Sequence, residues 1–344
     1  MFPPGEAAQG SARLCALGIS ALLLLFPLGL LCAARPEMPA AAAARPAHIR
    51  AAYRIISLLL SICFAARCSY MLTLYAGMIE LYLLPRTPAF VVIAALLLTA
   101  FIIARSDTAR LPGIAGIVIM CASLPAAALF AAGLYRSDPG EWLILLQPDR
   151  RDIPGLIVPC LMCCSGFECS FFFVGDASRR GARRAVIAGF CVTCALAALS
   201  YMLCAGMLTV QGCGHLNYPL VETARVINIG GVAFTERFDL LLMVISIALL
   251  PAHTGIELHC AGECVRTALG RDDIRPARLL MLLTGAAAWL GQYAQFNRVL
   301  RTAAMICYVF TAFAGIPALC LIGRAGTGKR SGNIPEDERS AGHE

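Results

Sequence analysis

Long apolar runs alternate with short polar segments along the whole chain. Nine of these runs are long enough, or nearly so, to cross a bilayer as helices, since a hydrocarbon core of roughly 30 Å needs about 20 apolar residues. The pattern therefore predicts an all-α polytopic membrane protein with about nine transmembrane helices. The predicted spans are Leu14–Ala34, Ala51–Leu84, Ala89–Ala104, Leu111–Tyr135, Ile153–Asp176, Ala185–Leu208, Phe238–Leu258, Leu279–Tyr293 and Ala303–Gly323.

The fifth span, Ile153–Asp176, is the least helix-like of these runs because Ser165, Gly166 and Glu168 interrupt it. Glycine lowers helix stability. A carboxylate in the hydrocarbon region is costly and usually faces a partner, a ligand or a water-filled cavity. The span is therefore predicted to break near Gly166, with Glu168 contacting a ligand or cation, or alternatively serving as a structural carboxylate paired with an arginine.

Arg67, in the second span, is the candidate partner of Glu168. At a rise of about 1.5 Å per residue, Arg67 lies about 18 Å and Glu168 about 10 Å from the same membrane face. An arginine side chain spans much of that gap, which predicts an Arg67–Glu168 pair. Tyr70, Tyr75 and Ser246 are weaker candidates for the site, with ordinary packing as the alternative.

Composition supports the membrane assignment and excludes several functions. Hydrophobic residues make up 59% of the chain, charged residues 14%, and the mean hydropathy is +0.75, far from the values of soluble domains. No basic run is interleaved with aromatic residues, so no nucleic-acid binding is predicted. Most of the 17 cysteines lie in apolar runs, where cysteine behaves as a small hydrophobe. Cys160, Cys163, Cys164 and Cys169 therefore predict no metal site, and no cofactor is expected.

The polar segments and the ends of the spans add four expectations. Lys and Arg are in excess on the side that holds the C-terminus, which predicts a cytoplasmic C-terminus and, with nine spans, an N-terminus outside. The connection from Thr209 to Arg237 contains an amphipathic helix candidate, Tyr218 to Asn228. His253, Glu257 and His259 are interpreted as the solvated end of the seventh span. Residues 1–323 form the membrane domain, and 324–344 are predicted to be a disordered tail.

Three motifs in order resemble the B subunits of spore germinant receptors, the GerAB-type permeases of the amino acid–polyamine–organocation superfamily. The first is Leu84-Pro85-Arg86-Thr87-Pro88, followed by an apolar span that ends in an arginine. The second is Gly166-Phe167-Glu168 inside a membrane segment. The third is Tyr218-Pro219-Leu220-Val221-Glu222-Thr223-Ala224-Arg225, with Glu236-Arg237 shortly after it. The resemblance covers roughly residues 50–323.

This resemblance implies a LeuT-like fold of ten helices in two inverted repeats, with the first helix of each repeat unwound near the midplane at the ligand. Ile153–Asp176 then corresponds to the unwound helix of the second repeat, and Ser165, Gly166, Phe167 and Glu168 to its ligand-binding turn. Leu14–Ala34 matches the family's second helix better than its first, so the family's first helix is expected to be absent. Truncation, degeneration, or replacement by the Leu14 helix remain open explanations.

The function implied is a non-enzymatic germinant receptor subunit of the spore inner membrane. It would sense a small amino acid-like germinant and act with an A-type membrane subunit and a C-type lipoprotein. Tyr218, Pro219, Glu222, Arg225, Glu236 and Arg237 would form a gating or partner surface. The alternatives are a secondary transporter of amino acids or amines, and a structural receptor subunit whose ligand site has degenerated.

Overall fold

The structure is a computed structural model that describes residues 10–33, 47–145, 153–164, 166–173, 179–209, 212–213, 216–227, 238–270 and 275–327. All regular elements in these ranges are helical. They are α1 (Gly10–Ala33), α2 (Ala47–Tyr82), α3 (Ala89–Ala104), α4 (Leu111–Arg136), α5 (Pro139–Leu145), α6 (Ile153–Cys164), a 3₁₀ helix (Phe167–Phe172), α7 (Arg179–Leu208), α8 (Pro219–Val226), α9 (Phe238–Leu269), α10 (Arg275–Leu290), α11 (Ala294–Phe310), a π-helical turn (Thr311–Gly315) and α12 (Ile316–Thr327).

The chain is an integral membrane protein by the length and apolarity of its helices. Six helical stretches in the described residues are long enough to cross a membrane: Ala12–Ala33, Ala47–Tyr82, Leu111–Arg136, Gly181–Leu208, Asp239–Leu269 and Ala294–Ile322. Ala89–Ala104, Ile153–Cys164 and Arg278–Leu290 are shorter apolar helices. Each predicted span overlaps one of these helices, so the all-α membrane fold is confirmed. Nine crossings and an inverted repeat stay predictions.

The seventh predicted span ends in the wrong place. Helix α9 continues from Leu258 to Leu269 and stops at Gly270, whose φ of 62° is in the left-handed region that favours glycine. The Gly270 N–H donates to the carbonyl of Arg266, which closes the last turn. The polar residues near position 257 therefore lie inside a helix and not at its end.

Helix α2 lies at the centre of the bundle and packs against α3, α9, α10 and α11. Two of its hydroxyl groups bridge to backbone carbonyls of α10: Ser69 donates to Thr284 at 3.1 Å, and Thr73 donates to Ala288 at 3.0 Å. Such bonds contribute about 0.6 kcal/mol each between membrane helices. Small residues permit the close approach, because a Cβ at Gly291 would lie 2.6 Å from the Thr73 hydroxyl.

Helix α1 packs along the broken fifth span. Its Leu24 and Leu28 share a buried cluster with Leu156 and Leu161 of α6. The hydroxyl of Ser20 also donates to the carbonyl of Ile157 at 2.9 Å. Helix α1 is therefore a direct neighbour of the segment that leads into the helix break.

Candidate functional site

The fifth span is interrupted where the sequence predicts it. Helix α6 ends at Cys164, Gly166 has φ 122° and ψ −22°, and the chain then forms the 3₁₀ helix. Glycine reaches this backbone conformation readily because it has no Cβ, whereas other residues are strained there. Ser165, which is predicted to contact the ligand, lies outside the described residues.

Glu168 is fully buried just after the break. Its Oε2 accepts a hydrogen bond from the backbone N–H of Gly166, which ties the carboxylate to the break itself. The other oxygen, Oε1, has no hydrogen-bond partner among the described residues. Phe167, the aromatic residue of the same motif, packs edge-to-face on Phe190 of α7 with ring centroids 5.7 Å apart.

Arg67 of α2 reaches this carboxylate, as predicted. Its Nη1 lies 3.9 Å from Glu168 Oε1. A second carboxylate is closer, because Nη2 lies 2.6 Å from Oε1 of Glu257 on α9. All three side chains are 0% exposed. We call these three residues, Arg67, Glu168 and Glu257, the charged triad.

Burial of Glu257 contradicts the sequence interpretation of a solvated helix end. Its Oε2 accepts a hydrogen bond from the Cys68 thiol at 3.4 Å, and His253 Nε2 lies 3.8 Å from its Oε1. His259 is only 8% exposed and bridges to the α3–α4 loop. Its Nδ1 lies 2.9 Å from the Ala104 carbonyl and its Nε2 3.1 Å from the Thr108 hydroxyl. Because α9 extends to Leu269, Glu257 and His259 face the bundle interior, whereas the side chain of His253 is 39% exposed.

Aromatic rings complete the environment of the guanidinium. The Arg67 Cζ lies 3.9 Å from the centroid of the Tyr308 ring and 5.3 Å from that of Phe64. Desolvated cation–π contacts of this kind contribute about 2 kcal/mol. None of the three Arg67 side-chain nitrogens has a hydrogen bond in acceptable geometry among the described residues. Charge attraction and ring contacts, more than hydrogen bonds, therefore hold Arg67.

A groove of about 240 Å³ opens beside the break. Cys163 of α6 lies on its wall, as do Ser200 of α7, Tyr218 and Pro219 at the start of α8, and Ser246 of α9. The remaining lining is mostly aliphatic. Small molecules bind in concave, largely apolar sites with a few polar groups, and this groove has that character.

Helix α8 forms one rim of the groove and is fixed to the end of α2. The Tyr82 hydroxyl donates to Glu222 Oε1 at 2.6 Å, and the Tyr218 hydroxyl donates to the Leu74 carbonyl at 3.1 Å. Arg225 lies 3.5 Å from Glu222 Oε2. Burial raises the pKa of Tyr218, and the nearby Tyr70 phenol adds to the shift. The predicted amphipathic helix is confirmed as Pro219–Val226.

The predicted site residues thus fall into two groups. Arg67 and Glu168 meet in the charged triad, whereas Ser246, Tyr218 and Pro219 meet at the groove. Tyr70 is buried in the bundle and is not among the groove residues, and neither is Tyr75. Glu236 and Arg237 lie outside the described residues.

Glu257, Cys68 and Tyr308 are the site residues that the sequence interpretation missed. For Glu257 a signal existed, since it follows an apolar run and no proline occurs between it and Gly270. The rule that marks Glu168 as informative applies equally to it. For Cys68 and Tyr308 no such signal exists, because both residue types are common in apolar helices.

Comparison with known proteins agrees with the motifs. Residues 157–290 match the family described as spore germination protein, a range that begins in α6, includes the break and the charged residues Glu168 and Glu257, and ends with α10. A search of curated proteins gives no match. Residues 157–290 are therefore similar to the spore germination protein family, which supports the resemblance to GerAB-type permeases.

Proposed function

We propose that the protein is the permease-like membrane subunit of a spore germinant receptor and that it senses a small, amino acid-like germinant. The observation that supports this most directly is the coincidence of the family match with the helix break and its buried Glu168. Unwound helix segments with an intramembrane charge are typical ligand sites in transporter-like folds.

The groove offers a second element of the sensing site. Its volume of about 240 Å³ and its mostly apolar lining fit a small molecule with an aliphatic part. Cys163 belongs both to this wall and to the last turn before the break. A ligand in the groove would therefore contact the segment whose conformation depends on Gly166.

The mechanism would be a shift between two packing arrangements of the bundle. A ligand changes such an equilibrium only by binding one arrangement more tightly than the other. The broken helix is the element most suited to respond, since the φ of 122° at Gly166 interrupts the ladder of helical hydrogen bonds between its two halves. The altered arrangement would act on an A-type membrane subunit and a C-type lipoprotein in the spore inner membrane, with the C-terminus in the cytoplasm.

The test is genetic and biophysical. Deletion of the gene in its spore-forming host should abolish germination with at least one amino acid, and the wild-type gene should restore it. Complementation with Glu168→Gln should fail, while Glu263→Gln, a change of the same type on a partly exposed glutamate of α9, should succeed. Full germination with the Glu168→Gln gene would contradict a sensing role for the break and favour a purely structural subunit.

A secondary transporter of amino acids or amines remains the alternative function. Uptake of a radiolabelled amino acid into proteoliposomes that contain the purified chain alone would establish it. Germinant sensing without uptake is the result that we expect.

A further inference from the structure

The charged triad has an excess of negative charge. Two glutamates and one arginine, each fully buried, leave one negative charge without a counter-charge when all carry their usual charges. In the part of the chain that the structure describes, neither glutamate forms an ion pair with a second Lys or Arg. An uncompensated charge in a low-dielectric interior is strongly unfavourable, so such groups are normally neutralised by a partner or a bound ion.

The carboxylate that lacks a counter-charge is Glu168 and not Glu257. Glu257 has the Arg67 guanidinium at 2.6 Å and the Cys68 thiol at 3.4 Å. Glu168 Oε1 has its nearest positive charge 3.9 Å away and no hydrogen bond from a described residue. The other Glu168 oxygen is occupied by the Gly166 N–H and therefore oriented. One fixed, desolvated carboxylate oxygen is thus left without a close cationic partner.

Arg67 does not need Glu168 in order to remain in place. Glu257 is its nearer anion, and the Tyr308 ring covers its face at 3.9 Å. Glu168 can therefore accept another cation while Arg67 keeps a full counter-charge.

We propose that Glu168 binds one singly charged cationic group, an alkali-metal ion or a primary ammonium, while Glu257 retains Arg67. Binding brings the charged triad to electrical neutrality at the helix break. Glu257 acts here as a positioning residue, since it does not contact the cation. Without Glu257, Arg67 would have Glu168 as its only carboxylate, and the pair would already be neutral. This inference does not depend on germinant sensing.

The experiment measures the melting temperature of the purified full-length chain in detergent at constant ionic strength. Tetramethylammonium chloride, whose cation is bulky and has no N–H, is replaced stepwise by NaCl, KCl or methylammonium chloride. We expect a saturable rise in melting temperature with at least one of the three. A response to Na⁺ or K⁺ identifies an alkali-ion site, and a response to methylammonium identifies an ammonium site. Equal curves for all four salts would overturn the proposal.

The variants test which carboxylates are needed. Glu168→Gln and Glu257→Gln should each abolish the cation response, while Glu263→Gln, six residues further along α9, should keep it. If Glu257→Gln does not yield monodisperse protein, Glu257→Asp retains the charge and should keep a weaker response. A response that persists in Glu168→Gln would overturn the proposal, because the cation would then bind elsewhere.

Two controls remove competing explanations. His253 lies 3.8 Å from Glu257, and a protonated His253 would itself supply a positive charge. His253→Gln should therefore leave the cation response unchanged, and its loss would contradict the assignment to Glu168. L-Alanine is titrated separately. A cation response without an alanine response rejects alanine sensing alone, and the reverse result rejects the cation site alone.

Discussion

Tyr82, the last residue of α2, donates a 2.6 Å hydrogen bond to Glu222 of α8. This bond joins the short helix at the rim of the groove to the central helix of the bundle. Val221, Ala224 and Ile227 bury the apolar side of α8 against the same region. The attachment of α8 thus combines one strong polar contact with a small apolar interface.

Tyr82→Phe should loosen α8 without unfolding the bundle. The variant loses a hydrogen bond to a charged acceptor, which contributes about 1.5–3 kcal/mol. We expect faster amide hydrogen exchange over residues 219–226 and an almost unchanged melting temperature. Tyr75→Phe, the same change seven residues earlier on α2, is the matched control. Its amide exchange over residues 219–226 should equal that of the wild type. Equal exchange in both variants would show that the apolar contacts alone hold α8.

The charged triad predicts that the loss of Glu257 and the loss of Glu168 lower the melting temperature by different amounts. Removal of one partner of a buried ion pair costs about 3–5 kcal/mol. Glu257→Gln should therefore lower the melting temperature more than Glu168→Gln, since the Arg67–Glu257 distance is 2.6 Å and the Arg67–Glu168 distance is 3.9 Å.

A double-mutant cycle with Arg67→Gln measures both couplings. The Arg67–Glu257 coupling should exceed the Arg67–Glu168 coupling, each with the sign of an attraction. Additive melting temperatures for Arg67 and Glu257 would contradict the geometry of the pair.

Gly166→Ala should destabilise the protein because φ at this position is 122°. A residue with a Cβ in such a conformation costs about 1–3 kcal/mol. Gly155→Ala is the control, since Gly155 lies in α6 with open space around its Cβ position. Alanine there should be neutral or stabilising by up to about 1 kcal/mol. Equal melting temperatures for the two variants would show that the break does not require a glycine.

Gly255→Ala tests the close contact between α9 and α3. A Cβ at this position would lie 2.7 Å from Ile103 Cγ2 and 2.9 Å from the Ala100 carbonyl oxygen. Overpacking of this kind costs about 1–3 kcal/mol, so the melting temperature should fall. Gly189→Ala on α7, where nothing lies within 4 Å, should not lower it. An unchanged melting temperature for Gly255→Ala would show that α9 and α3 can move apart without a loss of stability.

Most of the fold could be predicted from the sequence because membrane helices are marked by continuous apolar runs. The break could be predicted because Gly166 and Glu168 violate that pattern within a single turn. The Arg67–Glu168 contact followed from depth alone, since helix rise per residue is constant. These inferences use local properties of single segments.

The rest depends on tertiary contacts that local patterns do not contain. Glu257 lies near polar neighbours, His253 and His259, and this grouping favours a helix end. Only the packing of α9 against α2 and the α3–α4 loop shows that Glu257 and His259 are internal. Likewise, the groove is lined by residues of four successive helices, α6 to α9, so no single segment indicates it.

Helix α2 has 36 residues and no proline, which gives a length of about 54 Å against a hydrocarbon thickness of roughly 30 Å. Tyr82 at its end and Arg67 in its interior are about 22 Å apart along one rigid axis. A rotation or axial shift that begins at α8 is therefore transmitted to the guanidinium mechanically, without any change in the intervening backbone. Helix α2 transmits motion in the opposite direction as well, so a rearrangement at the break would displace α8 at the rim of the groove.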